Sequence, residues 1–374
     1  MRTYILLAIA FAAAAVASVA VVPRVEDVDS SSYRMMAQGE QACRPYASRV
    51  LHPAVVRGLS AAGISMPVAF AATTIASAVA FYVLLLVRMR RMRPTWKTFV
   101  LLVSPLWWVW GGNIYIQDMV AAAFAAVLFL AVDMASCAAD GKSTCRRTGL
   151  ILVALSLFLL QLTRESSAVF ALTLAVLAWR GKDRRLALAS VAAMVAGMAV
   201  VAWASRNANP NTNELNGFAY MVCKVVANGV RNFTGLIPWN DGYAAHLAFY
   251  YPDPPIWKCT LPTFLQWGNV HEIGVYSFMP WTVAKTFAVL LFYFPCVLPL
   301  LWRICREGRL KLLMHGGFMS LPLDVRLALV VGGVFWVMIP FGGTSLMRYA
   351  GYAWPLFWIA LPHLNEKCKT SNVK

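Results

Sequence analysis

The chain has 374 residues, 60% hydrophobic and only 13% charged, with a mean hydropathy of +0.63. Soluble domains carry about 25% charged residues, so that class is excluded. The net charge of +17 comes from 33 Lys and Arg against 16 Asp and Glu, yet the basic residues lie in short clusters between apolar runs, which excludes a nucleic-acid footprint.

A bilayer core of about 30 Å is crossed by roughly 20 apolar residues. In chain order, runs of that character are Tyr4–Val22, Pro67–Val87, Gln117–Ser136, Leu186–Ser205, Thr282–Trp302, Leu327–Phe341 and Tyr352–Leu364, the last two short. Two regions are too long for one crossing. Thr98–Ser136 has 39 residues, about 58 Å as a helix. Pro105 and "GGNIYIQD" break it, which predicts two helices joined by a tight turn. Thr148–Trp179 has 32 residues with "TRES" in its middle. A single helix there would hold Arg164 and Glu165 at the bilayer centre, at roughly 2.5–3.5 kcal/mol per charge.

Splitting both regions gives ten helices and satisfies the positive-inside rule. The segments "RMRRMRPTWK", "CAADGKSTCRR", "RGKDRR" and "RICREGRLKLLMHGGFMSLPLDVR" then fall on the side of both termini, and with Arg2 and the tail they hold 21 of the 33 Lys and Arg. The expectation is an all-α polytopic protein, one integral membrane domain over 1–374, with both termini and the tail 365–374 cytoplasmic. Tyr4–Val22 has something of a signal peptide, with "VAVVPR" near a cleavage pattern, but its 19 residues are long for an h-region. It is read as a retained anchor.

The exported side receives the loop 23–66, short turns near 112–117, Arg164 and Arg348, and a long segment, 206–281, between helices 7 and 8. Ten of the 16 acidic residues belong to it: Glu26, Asp27, Asp29, Glu40, Asp118, Glu165, Glu214, Asp241, Asp253 and Glu272. Asp118, Arg164, Glu165 and Arg348 stand within a turn of apolar runs, where an unpaired charge is costly. They are expected to pair with one another or to bind a charged ligand.

Five short patterns, in order along the chain, resemble the GT-C membrane glycosyltransferases that use polyprenyl-phosphate-linked sugars. Asp29-Ser-Ser-Ser-Tyr33 matches the D-x-x-x-Y of their first exported loop, which a short helix follows. Tyr46, Arg49, Leu51 and Pro53 match Y-x-x-R-x-L-x-P. Asp118 stands where a second acidic residue opens the fourth helix, "LTRESS" resembles a T-R-E motif, and "RYAGYAWPLFW" resembles the close near the last helix. Two features depart from the family: Asp29 is followed by serine, where an acidic pair is common, and no soluble C-terminal domain like that of the oligosaccharyltransferases is seen.

The resemblance implies a GT-C fold in a bacterial inner membrane, surrounded by membrane lipids. It implies transfer from a polyprenyl-phosphate sugar to an acceptor whose class the residues do not define. Asp29 is the implied general base, with Asp27 as the alternative. The chemistry asks for arginine on the departing phosphate, since the planar guanidinium makes bidentate contacts. Arg49, Arg44, Arg164 and Arg348 are the candidates, with Tyr33, Tyr46, Asp118 and Glu165 in support.

Plainer readings stand beside these. Arg164 and Glu165 also suit a structural ion pair, and Arg49 a side chain snorkelling to headgroups. "PLWWVWGGNIY" suits an interfacial aromatic belt better than a sugar platform. His52, His246 and His271 lack metal-ligand spacing, so no structural zinc is expected; a divalent cation between Asp29 and Asp118 is the one metal the resemblance allows. Cys223 and Cys259 could pair on the oxidising side, where Cys43 also falls. Asn232 begins an N-F-T sequon. The competing functions are a transporter or flippase of a lipid-linked solute, and a surface-polysaccharide polymerase or ligase.

Overall fold

In the computed structural model of the chain, described over residues 2–21, 28–42, 46–89, 114–136, 143–206, 208, 229–230, 232–238, 271–273, 276–278, 280–292, 318–319, 321–341 and 356, the apolar runs form helices. Their ends follow from local chemistry. Helix α1 is Arg2–Val21, α2 is Val28–Gln38, α3 is Leu51–Ala61 and α4 is Met66–Met89, with Pro67 in its first turn, where a missing N–H costs nothing. Asp118 opens α5 (Asp118–Ser136), an alanine-rich helix without Gly or Pro. Helix α6 is Ser143–Thr163, α7 is Ala168–Arg180 and α8 is Arg184–Ala204, the last capped by the Asp183 carboxylate, which accepts from the Leu186 N–H. Helix α9 is Pro280–Phe292 and α10 is Leu323–Met338.

Among the described residues, five helical segments are long and apolar enough to cross a membrane: Met66–Val87, Asp118–Ser136, Thr144–Thr163, Arg184–Ala204 and Leu323–Phe341. The chain is a helical membrane protein. Ile5–Ala17 and Ala168–Arg180 are shorter apolar helices. The last expected span starts four residues early. Asp324 and Arg326, read as part of a solvated loop, are instead buried in the first turns of α10.

Two compact units divide the chain: Met1–Asn209 with Leu300–Gly332 and Trp354–Lys374, and Pro210–Pro299 with Gly333–Ala353. In the first, α1 packs on α4, α4 on α5, α5 on α6, α6 on α8 and α8 on α7. Phe11 stacks on Tyr82 at 4.3 Å between α1 and α4. Small residues let the other helices close in. A β-carbon on Gly149 of α6 would lie 2.5 Å from the Ala135 nitrogen of α5, and one on Gly197 of α8 would lie 2.7 Å from Gln161 Cβ.

These contacts fix helix directions. The "TRES" break is real: α6 stops at Thr163, a 3-10 turn covers Glu165–Ser167, and α7 follows. The turn after α7, through Lys182 at φ 62, delivers Asp183 to Arg146 at the start of α6, 3.0 Å away. The start of α6 and the end of α7 therefore share one end of the bundle, as two separate helices require. Thr74 Oγ1 of α4 donates to the Ile114 carbonyl just before α5, so α4 and α5 begin at the other end together. That is the arrangement the split of Thr98–Ser136 requires, although the expected third helix lies outside the described residues.

The second unit holds a feature absent from the all-α expectation. Strands β1 (Leu236–Pro238), β2 (His271–Ile273) and β3 (Tyr276–Phe278) form an antiparallel sheet in the order β1-β3-β2. Leu236 and His271 both pair with Phe278. Three-residue strands are too short to leave an alternating pattern in the sequence. In the same unit, α9 packs on the 3-10 turn Ile339–Phe341.

Candidate functional site

The first loop builds the site. Its α2 starts at Val28, so Asp29 occupies the first turn, where the helix dipole favours a negative charge. Asp29 and Tyr33 stand inside this helix, one turn apart, whereas the resemblance implied a helix only after Tyr33. Gly39, at φ +92, ends it: the Glu40 N–H donates to the Met35 carbonyl at 2.9 Å and the Gly39 N–H to Met36 at 3.1 Å. A β-carbon on Gly39 would meet the Arg57 guanidinium of α3 at 3.1 Å. The loop is thus a pair of helices packed on each other.

Between them the chain turns through a 3-10 segment, Tyr46–Ser48. Tyr33 and Tyr46 are buried and meet edge to face at 6.0 Å. Arg49 Nη1 donates to the Tyr33 hydroxyl at 2.8 Å, and the guanidinium lies 5.8 Å from the Tyr46 ring centre. Both contacts orient the arginine through its plane. Residues of two separate sequence patterns, Tyr33 of the first and Tyr46 and Arg49 of the second, are one cluster.

That cluster is tied to the mouth of the bundle. Gln117 Nε2 donates to the Arg49 carbonyl at 3.3 Å. The next residue, Asp118, accepts from Arg164 Nη1 at 2.6 Å, with side-chain exposures of 1% and 10%. The pairing expected at the helix mouths holds for these two. Arg34 lies over Tyr115 at 5.7 Å, and Tyr115 meets Phe70 at 4.9 Å. Phe70 in turn meets His52. His52 is fully buried, neither ring nitrogen has a hydrogen-bond partner among the described residues, and burial pushes its pKa down to about 3.

The opposite end of these helices carries Arg146, Arg147, Arg180, Lys182, Arg184 and Arg185. Asp183 chelates Arg146 Nη2 through both oxygens at 3.0 and 3.1 Å.

Asp27, Arg44 and Arg348 lie outside the described residues, as do the side chains of Asp29 and Glu165, so the structure joins Tyr33, Tyr46, Arg49, Asp118 and Arg164 alone. Cys43, Cys223, Cys259 and His246 also fall outside. Among the described residues no group of three or more His, Cys, Asp or Glu could hold a metal. Asn232 is buried and donates to the Pro340 carbonyl at 2.6 Å, which leaves its sequon no room for a glycan. Gln117 was missed. Its only signal is that a polar amide directly precedes Asp118 at the edge of an apolar run.

A scan against family models matched none, and searches of curated proteins and of solved structures also found no match.

Proposed function

We propose that this membrane protein is a GT-C-type glycosyltransferase, moving a sugar from a polyprenyl-phosphate donor to an acceptor on the exported face of a bacterial inner membrane. In this reading the chain crosses ten times with both termini cytoplasmic. The observation that carries it is Arg49, oriented by Tyr33 and Tyr46 and tied through Gln117 to the Asp118–Arg164 pair. An arginine that merely snorkelled to headgroups would need none of these contacts.

The acceptor oxygen attacks the anomeric carbon, the bond from that carbon to the phosphate oxygen breaks, and Asp29 takes the acceptor proton late, as the carbon gains positive character. Arg49 holds the departing phosphate, with Arg44 and Arg348 as further ligands. Arg164, committed to Asp118, orients the mouth. Tyr33 links the roles, since it stands one turn after Asp29 and accepts from Arg49.

Asp29→Asn removes the proton acceptor at nearly constant shape. Turnover should fall by roughly 10²–10⁴-fold, while donor affinity, set by the arginines, stays in place. Asp27→Asn should cost much less. The assay follows label from a polyprenyl-phosphate sugar in membranes at matched expression. A fully active Asp29→Asn protein would sink this reading.

A further inference from the structure

We infer that Gln117 is a positioning residue, which sets Arg49 for the donor phosphate by holding the Arg49 backbone carbonyl. The inference rests on the glycosyltransferase reading for the ligand, but the contact itself does not. A carbonyl only accepts, so the bond to Arg49 O fixes which end of the Gln117 amide donates. The other end, Oε1, is then buried without a hydrogen-bond partner among the described residues. Leaving a buried acceptor unpaired destabilises the fold, and a methionine would fill the same volume without that cost. A glutamine at this site is explained by its donor, which reaches Arg49 and nothing else that is described.

The geometry shows what the donor controls. The Arg49 N–H already bonds the Tyr46 carbonyl at 2.9 Å, and its guanidinium bonds Tyr33. Both of those partners belong to the loop and move with it. Gln117 belongs to the bundle and adjoins Asp118. Arg34 over Tyr115 and His52 against Phe70 also hold the loop on the bundle, but the Gln117 bond is the one that ties the Arg49 backbone itself to the residue adjoining Asp118. Released, the Arg49 backbone would loosen against the mouth while the guanidinium kept its bond to Tyr33.

Two variants separate donor from acceptor. Gln117→Met removes both ends of the amide, and Gln117→Glu keeps an acceptor oxygen but loses the donor. Each should weaken binding of polyprenyl phosphate to the purified protein in nanodiscs by about 3–10-fold, the range for one neutral hydrogen bond. Each should also speed tryptic cleavage at Arg49–Val50, because the freed carbonyl is that of the bond trypsin cuts. Wild-type affinity and protection in Gln117→Glu would overturn the inference, since the donor would then be dispensable. Weaker binding with unchanged cleavage would overturn it too, because Gln117 would not be acting through the Arg49 carbonyl. Arg49→Ala is the separate control: if it leaves polyprenyl-phosphate affinity unchanged, the phosphate assignment fails, while the cleavage rates still decide whether Gln117 holds the loop.

Discussion

Two ion pairs at opposite ends of the same helices should differ several-fold in what they contribute. Asp118 and Arg164 are 2.6 Å apart with side chains 1% and 10% exposed. Asp118→Ala leaves a guanidinium enclosed without its carboxylate, which costs about 3–5 kcal/mol in buried settings. Replacing both members together, Asp118→Leu with Arg164→Met, removes both charges and should return stability to within about 1 kcal/mol of wild type. Arg146 and Asp183 are 3.0 Å apart but 36% and 26% exposed, so solvent screens them. Arg146→Ala should cost only about 0.2–1 kcal/mol, because Asp183 still caps α8. Equilibrium unfolding in lipid–detergent micelles reads all three numbers, and the singles Asp118→Leu and Arg164→Met complete the double-mutant cycle. If Asp118→Ala costs no more than Arg146→Ala, or the double variant loses the sum of its singles, burial is not what makes the first pair matter.

Other outcomes follow from single contacts. Arg49→Lys keeps the charge but loses the planar fork that meets Tyr33 and Tyr46, so transfer at limiting donor should fall; full activity would remove Arg49 from the phosphate site. Gly149→Val places carbon against the α5 backbone and should lower stability by at least about 1–3 kcal/mol in the same unfolding assay. His52 has a folded pKa of about 3 against 6.5 when exposed, so below pH 6.5 the unfolded chain binds the extra proton. Stability should therefore fall with decreasing pH, by about 1.4 kcal/mol per unit for this residue, and His52→Phe should flatten that slope.

What the sequence made legible was whatever has a long apolar period or an isolated cost. The split at "TRES" could be read because two charges at a bilayer centre are expensive, and the structure has separate helices there. Asp118 and Arg164 could be read as needing partners, though not as partners of each other across 46 positions. Tyr33 and Arg49 stood out through the resemblance, but their hydrogen bond depends on how α2 and the 3-10 turn pack, which no local pattern encodes. The early start of α10 was misread because Asp324 and Arg326 look like loop residues until burial shows otherwise. Gln117 is a polar amide beside Asp118 at the edge of an apolar run, and its partner is a backbone carbonyl 68 positions away.

Helix α5 is held at both ends by contacts that cannot slide. Gln117 and Asp118 anchor the first turn to the loop and to α6, while Ala135 near the last turn abuts Gly149 with no space for a single carbon. The rise between those anchors is about 27 Å, close to the thickness of a bilayer core. A thinner or thicker membrane is then met by tilting α4, α5 and α6 as one body, since α5 alone has no axial play. Arg49 rides on that body. On the proposed reading, the height and angle at which the loop meets lipid headgroups would follow acyl-chain length, and membrane composition would tune how the protein approaches a lipid-borne donor.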